Sequence, residues 1–264
     1  MGFINGFDPL YAASGLFVGF LVGMTGVGGG SLMTPILVVF FGVHPVTAVG
    51  TDLLYAAITK SVGTAVHGFN RTVNWRIVKS LAAGSIPATL ITLWSVSGHA
   101  KTTGPSNLTY AIGVMLLVVA VLLLFRPYLL KTVSRLQERH GGLSERNRTL
   151  ATVALGVVLG TLVTLTSVGA GAMGVTVLLV LYPALKVTDI VGSDIVHAVP
   201  LTLIAGAGYW MFGGVDMPML GSLLVGSIPG VIVGSLLAPR MPDGVLRPIL
   251  AATLTAVALK MLLS

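Results

Sequence analysis

Lys60 is a charged residue in a place where charge is expensive. It lies nine residues into an apolar stretch over 51–68, which at about 1.5 Å per residue is about half the hydrocarbon thickness from its start. An ammonium at that depth costs about 2.5–3.5 kcal/mol on insertion scales, so it must face protein or a wet cavity and hold a partner. A small oxyanion that binds and leaves is one such partner; snorkelling or a structural pairing with Asp52 or a carbonyl is the other. Eight residues of separation put Asp52 about 80° around one helix and about 12 Å along it, which favours the ligand. His67, seven positions on, shares the Lys60 face. Lys60 has no counterpart in the second half of the chain, where Thr202 takes its place.

Two glycine-rich turns interrupt apolar runs, Thr25 to Ser31 and Thr166 to Ala172. Non-helical backbone at membrane depth is tolerated only where it is buried in protein or lines a cavity. The amides freed by such a break, with hydroxyls beside them, form an anion site at a half-helix N-terminus. The residues expected to contribute are Thr25, Gly28, Gly29, Gly30 and Ser31 in the first turn, and Thr166, Ser167, Gly169 and Gly171 in the second. Thr51 and Ser193 are expected as further hydroxyl donors to the substrate. The competing reading is that these glycines only permit close helix packing. A nucleotide loop is excluded, because no strand precedes the glycines and no lysine follows at the required spacing.

Asp52 and Asp194 each follow a Gly-Thr or Gly-Ser pair at the expected start of a span. That context suits a helix N-cap as well as ion handling. His197, one turn after Asp194, makes an Asp/His pair able to exchange a proton near neutral pH. Asp52, His67, Asp194 and His197 are therefore the candidates for proton or ion coupling. No metal or cofactor is expected: two histidines on different halves without an acidic cluster are a poor ligand set. Cysteine is absent, which excludes disulfides and thiolate sites. No nucleophile-base pair or metal triad can be assembled, so the chain does not read as an enzyme. His44, His99 and His140 fall in expected loops and receive no role.

The elements that must position these residues are membrane spans. Hydrophobic residues make up 55% of 264 positions, charged residues 9%, and the mean hydropathy is +0.97, far from a soluble domain. The stretches 51–68, 76–97, 108–125, 193–212, 217–238 and 245–263 are long enough to span. The pairs 10–24/32–43 and 150–165/173–182 are short, and each is either two short spans or a re-entrant hairpin. The N-terminus lacks the basic region and cleavage site of a removable signal, so Met1 onward is expected to be retained.

The chain is also duplicated. Gly84-Ser85-Ile86-Pro87 returns as Gly226-Ser227-Ile228-Pro229, and Gly50-Thr51-Asp52 matches Gly192-Ser193-Asp194 at the same offset. Val73-Asn74 likewise matches Val215-Asp216. Upstream the offset drops by one, aligning Thr25 with Thr166, and one inserted residue between 182 and 191 accounts for the slip. The expected fold is an all-α polytopic membrane protein of two inverted-topology repeats, with about five segments each and short broken or re-entrant helices opening each repeat. Residues 1–125 form the first repeat, 126–149 a basic linker and 150–264 the second repeat.

Placing 126–149 in the cytoplasm puts every lysine and arginine except Lys60, Lys101 and Lys260 on that side. Five segments per half is odd, so the halves insert in opposite senses with both termini outside. The formal charge of +7 is then a topology signal, and no nucleic-acid partner is expected. The expected partners are a small anionic substrate and the lipid bilayer, with a homodimer compatible with the sequence.

Gly-Val-Gly-Gly-Gly-Ser at 26–31 with Pro35 beyond, Ala48-Val49-Gly50-Thr51-Asp52-Leu53 opening a helix, and the weaker second copy resemble the TauE/SafE family of bacterial membrane permeases. The resemblance covers nearly the full length. It implies export or permeation of sulfur-containing anions, such as sulfite or an organosulfonate, across the bacterial inner membrane through a duplicated helical fold. The function expected is thus a secondary transporter of a small anion. The alternatives are a cation or proton-coupled transporter using Asp52 and Asp194, and a non-transport membrane scaffold.

Overall fold

The computed structural model describes residues 7–25, 30–67, 73–99, 144–169, 171–237, 243–263 and part of 110–128. Among them the chain is helical and contains no strand. We label the helices α1 (Pro9–Thr25), α2 (Gly30–Val39), α3 (Pro45–His67), α4 (Trp75–His99), α5 (Glu145–Thr166), α6 (Ala172–Leu181), α7 (Val187–Met211), α8 (Met217–Leu237) and α9 (Asp243–Leu263). Four of the described helices are long and apolar enough to cross a membrane: α4, α5, α7 and α8.

The distribution of polarity is that of a membrane protein. Leu90, Ile91 and Trp94 of α4 and Val225, Val233 and Leu236 of α8 point outward, whereas Thr34, Thr51, Asp52, Lys60, Ser85, Asp194 and His197 are buried. In lipid an outward apolar face costs nothing, and polar groups are retained inside where other polar groups can meet them.

Helix boundaries depart from the hydropathy reading where a first turn is polar. The stretch expected as a short segment from 150 begins at Glu145, and Ser144 caps it by accepting from the Asn147 amide at 3.3 Å. Its first turn, Glu145 to Arg148, is charged and hydrophilic, so α5 is 22 residues long and only its core registers as apolar. The spans expected at 51 and 193 start at Pro45 and Val187, so Asp52 and Asp194 lie inside helices and do not cap them. Proline at the first position of α3 is well placed, since its missing N–H would be unpaired there anyway.

The second helix of each half is short. α2 and α6 have 10 residues each, about 15 Å, or half the hydrocarbon thickness. Gly30–Val39 and Ala172–Leu181 are spaced by 142, and Thr25 and Thr166 by 141. α5 ends on Ser167 in the left-handed region, φ 58°, whose N–H bonds the Val163 carbonyl at 2.7 Å. Gly169 follows at φ 104°. A left-handed serine costs about 1–2 kcal/mol relative to glycine, a strain tolerated where packing fixes the turn.

The two halves exchange partners. α1 packs along α8, and α4 packs along α5, so the first long helix of each half lies on the fourth of the other. Glycine makes both contacts possible. A Cβ on Gly15 would strike the Leu223 carbonyl and one on Gly156 the Leu81 carbonyl, and the same holds for Gly19 against Ser227 and Gly160 against Ser85. With no hydrophobic drive between helices in lipid, such close backbone approach is what dispersion and lipid entropy reward. At the centre α3 crosses α7. Gly50 meets Tyr209 and Gly214, while Gly206 meets Leu54, so these two corresponding helices run antiparallel.

Two hydrogen bonds related by the repeat tie the crossing to the neighbouring turns. The Asn74 amide donates to Ser193 Oγ at 2.8 Å, and the Asp216 amide donates to Thr51 Oγ1 at 3.1 Å. Each joins the turn before a fourth helix to the opposite half.

Candidate functional site

Asp52 is the hub of the buried polar residues. It is fully buried on α3, and its Oδ2 accepts from Thr34 twice, from the amide at 3.0 Å and the hydroxyl at 2.6 Å. Thr34 lies in the opening turns of α2, so the carboxylate serves the positive end of the half-helix that precedes its own helix. Asp52 Oδ1 has no hydrogen-bond partner. The buried Ser167 hydroxyl from the second glycine break lies beside this carboxyl, also without a hydrogen bond of acceptable geometry.

Asp194 occupies the corresponding place in the second half. It is buried on α7, and a Cβ on Gly174 of α6 would collide with its Oδ1, so the carboxylate again sits on the opening turn of a half-helix. It differs from Asp52 in receiving no hydrogen bond from the described residues, and its Oδ1 is unpartnered. Lys60 is buried on α3 within electrostatic reach of Asp194 and, more weakly, of Asp52. Neither carboxylate forms an ion pair with it, and the one ion pair among the described residues is the exposed Arg76–Glu145 contact. The site therefore brings together one ammonium and two carboxylates, contributed by both halves at the helix crossing.

His197 lies one turn beyond Asp194 and near Lys60. Its Nε2 is 2.7 Å from Ser85 Oγ on α4, two residues before Pro87. The related position to His197 in the first half is Tyr55, which stands beside Ser227, the counterpart of Ser85. Tyr55 Oη and Ser227 Oγ are both buried without a hydrogen bond. A buried polar atom without a partner costs about 1–3 kcal/mol, and the unpartnered Oδ1 atoms of Asp52 and Asp194 both belong to carboxyls within electrostatic reach of Lys60.

The other expected site residues fall as follows. Thr51 and Ser193 accept the Asp216 and Asn74 amides, and Ser193 also donates to the Asp189 carbonyl at 2.6 Å. Thr166 donates to the Leu162 carbonyl at 2.7 Å and accepts from Val168 at 3.2 Å. Gly169 and Gly171 form the second break before α6. Gly28 and Gly29 lie outside the described residues, and Thr25, Gly30, Ser31 and His67 are described as helical backbone only. Thr34, Ser85, Tyr55 and Gly174 belong to the cluster without having been expected there. Ser85 carried a usable signal, being part of a tetrapeptide that returns unchanged in the second half.

Among the described residues no group of three or more histidines or acids is placed to hold a metal ion. What the arrangement offers is a positive charge whose counter-ions are themselves able to bind or release protons.

Comparison with known proteins agrees with a transport role. The family model described as "Sulfite exporter TauE/SafE" matches residues 11–261. The chain is 39% identical over 224 residues to a "Probable membrane transporter protein YjnA" of Bacillus subtilis (strain 168), covering 83% of this chain and 85% of that one. It is 29% identical over 216 residues to a "Probable membrane transporter protein YdhB" of the same organism, covering 81% and 83%. No solved structure matches the chain. The buried polar crossing thus lies within a multi-pass membrane transporter, and the chain belongs to the TauE/SafE sulfite exporter family.

Proposed function

We propose that this protein is a secondary transporter of a small anion, a sulfur oxyanion such as sulfite or an organosulfonate, across the bacterial inner membrane. The observation that carries the reading is Lys60, a buried lysine at the crossing of the two halves that forms no ion pair among the described residues. A permanent partner would immobilise it; an exchangeable anion satisfies it and can leave. The family description, which names sulfite, supports the chemical class. The antiparallel crossing of α3 and α7 supports two inverted repeats with the site at their interface, where alternating access acts around a fixed centre.

A second reading, a cation transporter using Asp52 and Asp194, draws on the two carboxylates that share a single lysine. Flux of radiolabelled sulfite and methanesulfonate into liposomes holding the purified protein separates the two. The anion reading expects saturable flux that Lys60→Met abolishes. No sulfite or methanesulfonate flux above empty liposomes would return the carboxylates and a cation to first place, and unchanged flux in a folded Lys60→Met protein would remove Lys60 from the anion site.

A further inference from the structure

We propose that Asp194 is the proton carrier of the anion site: its carboxyl takes up one proton as the anion binds at Lys60 and releases it as the anion leaves, while Asp52 stays ionised. This rests on the anion reading above and adds to it a coupled ion, a stoichiometry and a residue.

Besides His197, the charged side chains buried among the described residues are Asp52, Lys60 and Asp194. With all three ionised the crossing carries one excess negative charge. An incoming monoanion would double it in a medium that penalises even one unpaired charge. One proton on a carboxylate removes the difficulty, because the loaded site then has the same net charge as the empty one.

Hydrogen bonding selects the carboxylate. An ionised carboxylate only accepts, and Asp52 accepts twice from Thr34, an arrangement that needs no proton on it. Asp194 accepts nothing from the described residues, and Lys60 is the charge that reaches it. Once an anion engages Lys60, Asp194 has lost its counter-charge and has no other donor among the described residues.

The titratable groups on the surrounding elements are otherwise engaged or lie elsewhere among the described side chains. α3 contributes Asp52, Tyr55 and Lys60, with His67 at its far end, and α6 carries no titratable side chain. α4 presents Ser85, which engages His197 Nε2 at 2.7 Å. The charged residues of α5, Glu145, Arg146 and Arg148, are confined to its opening turn. On α7 itself, Tyr209 Oη donates to the Thr164 carbonyl at 3.0 Å and Asp189 lies in the first turn.

By linkage, a proton that raises anion affinity is itself bound more tightly when the anion is present. Anion affinity should therefore fall about tenfold per pH unit once free Asp194 is ionised. Transport of a monoanion with one proton moves no net charge.

The test uses the full chain in liposomes with a trapped pH-sensitive dye, and methanesulfonate as probe because it keeps one charge at every working pH. The expected result for the native protein is one proton moving with each methanesulfonate, at a rate insensitive to an imposed membrane potential. Asp194→Asn should still carry methanesulfonate, but without protons and with a rate that now follows the potential. Asp52→Asn should lower the flux yet keep one proton per anion. Methanesulfonate flux without protons in the native protein, or with protons in Asp194→Asn, would overturn the proposal and leave the anion reading standing. No methanesulfonate or sulfite flux above empty vesicles would overturn the anion reading and this inference with it, whereas native flux in Lys60→Met would overturn the placement of the anion at Lys60 and with it this inference alone. Should Asp194→Asn fail to fold, Asp52→Asn and His197→Gln decide the matter: one proton per anion kept in both supports Asp194, and loss of the proton in either overturns the assignment.

Discussion

Ser85 Oγ and His197 Nε2 lie 2.7 Å apart in the buried centre, and the two residues that the repeat sets in their place, Ser227 and Tyr55, stand together without a hydrogen bond. One backbone arrangement thus carries two chemistries, an imidazole held by a hydroxyl in one half and a phenol beside a hydroxyl in the other.

The difference is measurable as stability. Ser85→Ala leaves a buried imidazole nitrogen without its partner and should cost about 1–3 kcal/mol. Ser227→Ala removes a hydroxyl that has no partner to lose, so its effect should stay within about 0.5 kcal/mol. Thermal unfolding of the purified variants in detergent checks this. Equal shifts for the two would contradict the asymmetry.

The glycine contacts between halves give a second test. Gly15→Ala and Gly156→Ala each drive a Cβ into a carbonyl, of Leu223 and Leu81 respectively, and should destabilise the protein by about 1–3 kcal/mol or more. Gly221→Ala, where nothing lies within 4 Å of the added carbon, is the control. The yield of monodisperse protein should fall for the first two and hold for the third. Normal yield of Gly15→Ala and Gly156→Ala would argue against the α1/α8 and α4/α5 pairing.

Much of this was legible in the sequence because the residues that repeat are those that join the halves. In Gly84-Ser85-Ile86-Pro87 the glycine lets α4 meet the Val153 carbonyl, the serine holds His197, and the proline removes one helical hydrogen bond. The buried position of Lys60 followed from the cost of charge in lipid. The helix starts at Pro45, Glu145 and Val187 did not follow from hydropathy, because those first turns contain polar residues or proline. Nor did Thr34 as the partner of Asp52, since the pair is joined across a loop and two helices. The approach of Lys60 to Asp194 spans the halves, and one-dimensional charge placement carries no such distance.

Orientation in the membrane is open to direct labelling, because the chain has no cysteine of its own. Phe7 and Asn147 are both exposed. Phe7→Cys should react with a membrane-impermeant thiol reagent on intact cells, and Asn147→Cys only after permeabilisation. The reverse pattern would invert the topology drawn from the basic residues.

The role of Lys60 is tested most directly by equilibrium binding of radiolabelled methanesulfonate to the purified protein. Removing one member of a buried charge-assisted contact costs about 2–5 kcal/mol, which is about thirtyfold or more in affinity. Lys60→Met should lose binding by at least that factor in protein that still purifies as a folded, monodisperse species. Lys60→Arg should keep part of the binding with altered preference among anions, since a planar fork replaces a point charge. Native affinity in a folded Lys60→Met protein would contradict the account at its centre.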